Sequence, residues 1–371
     1  MTKLIKLLAA ALIIAFCIDR RDNRMMLQNR GRRERFFTFA LIMLLAVFCG
    51  LRTWYNDTGT YREIYTYLTP ELQDFTINEN NNFAHGIGFA WCNSLMKTWG
   101  FSEQDHLMLY AFITVIPYVL FVRKYSASMA FGVFLMFTTG FYTFSFAAIK
   151  QCAAIGFCLL AVSDAVEREW VRFLLCTAIG LLFHPYAIVY LIVPFLFFKP
   201  WTTRTFVFIV AALAVGFSLE ALLGTIVDIT TMMGADYDMT SFVGEGVNIF
   251  RALVAFVPLM LSIPYRNRLF SSSGRTENLM FNLAMMNALF MFVGLFGTAN
   301  YFARLANYFL PAQVIVLPWM LSKIGGKEGR VLKMLCVVGY CGYFAYGNMI
   351  QHVFDYSFSQ MPLSDYLLSH F

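Results

Sequence analysis

Apolar runs follow one another along almost the whole chain, and little polar sequence separates them. Backbone polar groups inside hydrocarbon must find partners within their own segment, so runs of this kind fold as helices. With 59% hydrophobic and 13% charged residues among 371, no Pro/Gly/Ser-rich linker and no internal repeat, the expectation is an all-α polytopic membrane protein. Residues 1–371 then form a single transmembrane domain. The net charge of +6 calls for no nucleic acid, because the basic residues sit mainly in short loops, where they set orientation.

The stretch 147–200 departs most from a plain span. Lys150 and Gln151 interrupt an apolar run, and His184-Pro185 splits a later one into pieces of about 172–183 and 186–198, each shorter than the roughly 20 residues a crossing needs. Ionisable groups at membrane depth are costly and face protein or water, so this stretch is a candidate for chemistry.

Residues 1–18 imitate a secretory signal, but the seven arginines of 19–35 belong in the cytoplasm, which makes the first run an uncleaved helix with its N-terminus outside. Further crossings are expected over about 36–51, 105–122, 127–146, 148–163, 205–223, 248–264, 279–299, 305–322 and 334–350. That is about ten spans, plus a re-entrant or short helical hairpin over 172–198. A hairpin that returns to its own side puts 20 of the 28 Lys and Arg residues inside, as the orientation rule asks; a pair of compact full crossings fits the charges equally well. The segments 52–104, 224–247 and 351–371 are then external.

On that outer side polar residues converge. Arg52, Asn56, Asp57, Arg62 and Glu63 follow the second run, Lys150 and Gln151 open the fifth, His184 marks the hairpin turn, and Asn300 and Arg304 join the last two long runs before the C-terminal one. Several cations beside one or two carboxylates suit a diphosphate-linked substrate, since Lys and Arg neutralise phosphate oxygens and Arg adds a bidentate fork. Asp57 or His184 would take the proton from an acceptor hydroxyl. Structural alternatives stand beside these roles: Arg52 snorkelling to headgroups, Asp57 capping a turn in its Asn-Asp-Thr-Gly setting, His184-Pro185 kinking a helix, and Arg304 anchoring at the interface. The acidic residues Asp228, Asp236, Asp238 and Glu245 read as a solvated loop. No Walker loop, paired CxxC or GxSxG occurs, so the sequence suggests no cofactor and no metal, and any driving energy arrives with the substrate.

In their order and spacing these features resemble the EpsG family of Wzy-like bacterial polysaccharide polymerases. The resemblance rests on Arg52 followed by Asn56 to Tyr61 (NDTGTY), Lys150-Gln151 opening an Ala-rich helix, His184 after a short helix, and Arg304 in an aromatic setting, over roughly residues 40–320. Two positions depart from the family pattern: Lys150-Gln151 where relatives look like Arg-Gln, and His85-Gly86-Ile87-Gly88-Phe89 where an acidic residue before Gly is common. The resemblance implies a GT-C-like architecture and transfer of a polyprenyl-diphosphate-linked glycan onto another lipid-linked repeat unit at the outer face of the cytoplasmic membrane. Arg52, Asn56, Lys150, Gln151, Asn300 and Arg304 would bind substrate there, and Asp57 and His184 would be catalytic. Partners would be the polyprenyl-diphosphate-linked oligosaccharide, the bilayer, and a chain-length regulator or other assembly proteins. A single-sugar transferase using a polyprenyl-phosphate donor, or a non-enzymatic lipid-linked-glycan transporter, would also want a cationic cavity.

Overall fold

A computed structural model of the protein describes residues 2–27, 34–78, 81–218, 246–296, 299–350 and 358–370, with isolated positions between 225 and 232. Its long elements are helices: α1 (Thr2–Leu27), α2 (Phe36–Gly50), α3 (Thr58–Glu63), α4 (Ile87–Thr98), α5 (Glu103–Tyr125), α6 (Met129–Thr138), α7 (Phe141–Ala147) and α8 (Ile149–Glu167). After these come α9 (Trp170–Phe183), α10 (Thr203–Phe217), α11 (Ile249–Phe270), α12 (Arg275–Val293), α13 (Ala299–Ile324), α14 (Gly326–Ala345) and α15 (Leu363–Leu368).

Among the described residues four helices, α5, α8, α11 and the Tyr301–Ile324 part of α13, are long and apolar enough to cross a bilayer. The pair α6 and α7, bent by 49°, makes at most a fifth. The expected count of about ten spans is therefore corrected, for three physical reasons. At 15 residues each, α2 and α10 rise about 22 Å, short of a hydrocarbon layer about 30 Å thick. The run read as 127–146 breaks at Gly140, whose φ of +80° ends one helix and starts the next. The helices α1 and α14 are long enough but carry charge, Lys3, Lys6 and Asp19 in α1 and Lys327, Glu328, Arg330 and Lys333 in α14, and α12 is made too polar by Glu277, Asn278, Asn282 and Asn287.

The segment 172–198 divides as its sequence suggests, into α9 and a 3-10 helix, Pro185–Leu196, which meet at an extended His184 (φ −154°). Pro185 takes the first position of the second piece, where a missing N–H costs nothing. The two arms are nearly equal in length, about 21 Å for 14 α-helical residues and about 24 Å for 12 in the 3-10 form. They also close on themselves. The rings of Trp170 and Phe197 lie 6.1 Å apart, and the Arg275 guanidinium covers both, at 5.9 and 3.8 Å. The hairpin thus begins and ends at one end of the molecule and turns at the other. Along the 3-10 arm Ala187, Tyr190, Val193 and Leu196 are buried, a row with the period of three that such a helix imposes. Asn282 of α12 closes the arm by donating to the carbonyls of Leu196 and Phe198, both at 2.7 Å.

Polar contacts gather at two ends. At one, Asp19 caps α6, Arg123 pairs with Asp22, Lys124 with Glu167 at 2.5 Å, and Arg268 with Glu328 at 3.2 Å. These belong to the loops expected inside. At the other, Arg52–Trp54 pairs antiparallel with Ser359–Gln360, and Tyr366 and His370 bond Asp105 at 2.6 and 2.8 Å. The segment 52–104 and the C-terminal tail, both expected outside, therefore share an end. Most of 224–247 and residues 351–357 lie outside the described residues. Between the ends α5 crosses α8 closely at Gly156, where a Cβ would meet Pro117 Cγ at 2.9 Å and the Ile113 carbonyl at 3.0 Å.

Candidate functional site

The site forms where the first turn of α8, the hairpin turn and the start of α13 meet. Ala148 (φ −95°, ψ 68°) breaks the chain between α7 and α8, so Lys150 and Gln151 stand at a fresh helix N-terminus instead of mid-helix. Lys150 Nζ donates to the carbonyl of His85 at 3.0 Å and lies 5.1 Å from the centre of the Phe89 ring. The His85 carbonyl is held in place by its own turn. Asn82 caps it, and Gly86 follows at φ +80°, so close to α9 that a Cβ there would stand 2.3 Å from the Phe183 carbonyl. The lysine thus meets a backbone oxygen here, not a carboxylate.

Gln151 is buried and donates through Nε2 to the backbone carbonyl of Arg304 at 2.6 Å, which ties α8 to α13. Its Oε1 is buried with no donor among the described residues. The Arg304 side chain is exposed, and among the described residues it has no hydrogen-bond or ion-pair partner. His184 bonds the Tyr308 hydroxyl through Nδ1 at 3.0 Å, and its ring meets Tyr186 edge-on at 4.9 Å. Tyr308 is itself held, because Tyr190 donates to its carbonyl at 2.8 Å. Lys150 and Arg304 both lie within electrostatic range of the His184 ring.

Tyr61 joins the group, although its sequence setting marked it only as part of a motif. Its phenol is pushed up by burial first and then by Asp57 and Cys152, while Arg304 and the Lys150 backbone pull it down. Its ring meets Phe89 edge-on at 5.9 Å, the same ring that Lys150 Nζ approaches. Asp57 is exposed at the start of α3 and makes no capping bond there, so the capping role considered for it is not realised. Asn56 before it is exposed in the left-handed region at φ 43°, which Asn tolerates.

Arg52 is placed otherwise than expected. Its guanidinium is 1% exposed and turned inward, donating through Nη1 to the Cys49 carbonyl at 2.6 Å and through Nε to Thr58 Oγ1 at 3.2 Å. A cation two residues past a helix end meets free carbonyls of that helix, and here Arg52 bonds one of them, that of Cys49, in place of headgroups or ligand. Arg62 is engaged by Glu103 and by the Thr53 carbonyl. The Asn300 side chain lies outside the described residues. The structure therefore brings together Lys150, Gln151, His184 and Arg304, adds Tyr61, Tyr308 and the His85 carbonyl, leaves Asp57 at the rim and removes Arg52. Among the described residues no group of three or more His, Cys, Asp and Glu side chains converges as metal ligands would.

Apolar helices of spanning length define a helical membrane protein, and Lys150, Gln151, His184 and Arg304 gather at one end of it. The chain belongs to the EpsG family, whose profile matches residues 35–361, and the family places it among membrane proteins of polysaccharide synthesis. Searches of curated proteins and of solved structures return no significant match.

Proposed function

We propose that the protein is a polysaccharide polymerase that transfers a glycan from its polyprenyl-diphosphate carrier to another lipid-linked repeat unit at the outer face of the cytoplasmic membrane. The observation that carries this reading is the gathering of three chain segments: Lys150 bonds the His85 carbonyl beside Gly86, Gly86 packs on the Phe183 carbonyl next to His184, and Gln151 bonds the backbone of Arg304, whose side chain is unpaired among the described residues. An acceptor hydroxyl attacks the anomeric carbon, the bond from that carbon to the diphosphate breaks, and the diphosphate leaves with the electron pair. Lys150 and Arg304 hold the charge that develops on the leaving group, the kind of preorganised stabilisation that contributes most to such transfers. The hydroxyl proton goes to His184 Nε2. That role requires Nδ1–H to donate to the Tyr308 oxygen, which the 3.0 Å contact permits. In this reading Gln151 Oε1, which has no donor among the described residues, accepts from a hydroxyl of the substrate. Asp57, at the rim beside Tyr61, is the second candidate base.

The test is the product. Membranes containing the protein, supplied with a lipid-linked repeat unit, should give a ladder spaced by whole repeats, and deletion of the gene should leave the unpolymerised unit. Addition of one sugar per turnover would identify a single-sugar transferase instead, and movement of the unit across the bilayer without a new glycosidic bond would identify a transporter.

A further inference from the structure

The end of the molecule opposite Lys150 holds a second cationic cluster that the proposed transfer does not use. Two adjoining grooves of about 530 and 360 Å³ run along α6 between α1 and α14, and Ser128, Phe131 and Lys333 line both. Three cations border them. Arg20 comes from α1, and Arg330 and Lys333 come from one face of α14, three residues apart. None has a carboxylate partner among the described residues: Arg20 lies over the Phe16 ring at 4.9 Å, Lys333 over the Phe131 ring at 5.4 Å, and Arg330 Nε reaches only the Gly326 carbonyl, at 3.3 Å. The carboxylate in the groove, Asp19, is already occupied, accepting from Ser128 Oγ at 2.9 Å and from the backbone of Met129 and Ala130 at 2.8 and 3.0 Å.

Charge at this end follows from the orientation rule, but its confluence in a groove does not. The groove beside Arg20 and Lys333 is also apolar, lined by Phe16, Phe131 and Phe134. Ile13 and Phe16 on α1, and Val331, Met334, Leu335 and Val338 on α14, are exposed large hydrophobics on the same two helices. A ligand that fits must therefore put negative charge among the three cations and hydrocarbon along the helices beside them. A free phosphate satisfies the first condition and not the second.

We infer that this double groove is a binding site for the phosphate headgroup of an anionic phospholipid, whose acyl chains lie against α1 and α14. The bound lipid spans α6 and links α1 to α14 from either side. Basic pockets between membrane helices recognise anionic headgroups in this way, each Lys or Arg near the surface contributing about 1 kcal/mol.

The experiment uses the full-length protein in detergent and in nanodiscs, probed with phosphatidylglycerol, with phosphatidylcholine and with inorganic phosphate. Native mass spectrometry should show phosphatidylglycerol adducts that survive activation at which phosphatidylcholine is stripped. The triple variant Arg20→Gln, Arg330→Gln, Lys333→Gln should bind phosphatidylglycerol roughly 100-fold more weakly, and the single variant Lys333→Gln roughly 5-fold. Should the triple variant fail to fold, the single variant carries the test. Arg20→Lys with Arg330→Lys keeps the charge and should keep the preference, and Lys199→Gln with Arg204→Gln, on cations that do not line the grooves, should leave it unchanged. Equal retention of the two lipids by the native protein, a preference that persists in Lys333→Gln at full strength, or competition by inorganic phosphate as effective as the lipid itself would each overturn the assignment.

Discussion

Replacing Lys150 by methionine separates the charge of the site from its packing. Methionine keeps an unbranched apolar side chain and removes the ammonium that reaches the His85 carbonyl and lies 5.1 Å from the centre of the Phe89 ring. Losing that one hydrogen bond costs about 1 kcal/mol, small against a fold stability of about 5–15 kcal/mol, so the variant should reach the membrane in native amount. The cost to transfer is larger. One preorganised cation at a developing negative charge contributes about 3 kcal/mol, which slows the reaction on the order of 100-fold. Lys150→Arg keeps the charge and should retain measurable polymer, whereas Arg304→Ala should lose it as Lys150→Met does. The assay follows polymer bands formed from a lipid-linked repeat unit in isolated membranes, normalised to folded protein by size-exclusion chromatography. Native rate and native chain length in Lys150→Met would refute a role for the ammonium at the leaving group.

Arg52→Met removes a buried guanidinium that holds the end of α2 to Thr58, so it should destabilise the protein by about 3 kcal/mol, lowering its melting temperature and its folded yield, while molecules that do fold remain active. Gly86→Ala brings a Cβ against the Phe183 carbonyl at a positive φ, costs about 2 kcal/mol, and should also reduce transfer, because the His85 carbonyl shifts away from Lys150; thermal unfolding and the band assay measure the two effects separately. The C-terminal contact should depend on pH. The Tyr366 carbonyl and then Asp105 hold the His370 imidazolium, which raises its pKa above the ordinary histidine value. A raised folded value means the contribution is complete below the ordinary histidine pKa and is lost as the pH rises through the folded one, so the tail should open on going alkaline. Hydrogen exchange over residues 363–370, corrected for intrinsic rates, should show this opening, and His370→Asn should abolish its pH dependence.

Lys150, Gln151 and the His184-Pro185 break were legible because an ionisable or helix-breaking residue inside an apolar run has few places to go. The hairpin's return was legible from charge alone, since only a turn back puts Lys199 and Arg204 with the other cations, and the edge-on contact of Trp170 with Phe197 closes it at that end. The number of crossings was not. Hydropathy does not register the bend at Gly140, nor the shortfall of a helix that is apolar throughout but ends after 15 residues. The inward turn of Arg52 was equally hidden, because a cation after a helix end can bond that helix's carbonyls or leave for solvent, and neighbouring residues do not choose between them. Tyr61 and Tyr308 escaped notice for a simpler reason. Among 19 tyrosines in an aromatic-rich chain they look like filler, and only their contacts with Lys150, Arg304 and His184 set them apart.

The 3-10 arm of the hairpin sets a rule for how this part of the chain can vary. Its inner row repeats every third residue, so restrictions on side-chain size should recur at 187, 190, 193 and 196, while Ile188, Leu191 and Phe195, each more than a third exposed, accept any apolar shape. In a saturation scan the tolerant and intolerant positions should alternate with a period of three, where an α-helix would give 3.6. Inserting a single residue after Pro185 would turn every position beyond it by about 120° and present Val189, Ile192 and Phe195 to the interior in place of Tyr190, Val193 and Leu196. Tyr190 would then lose the Tyr308 carbonyl, and an insertion wholly within apolar sequence would act on the histidine one turn away.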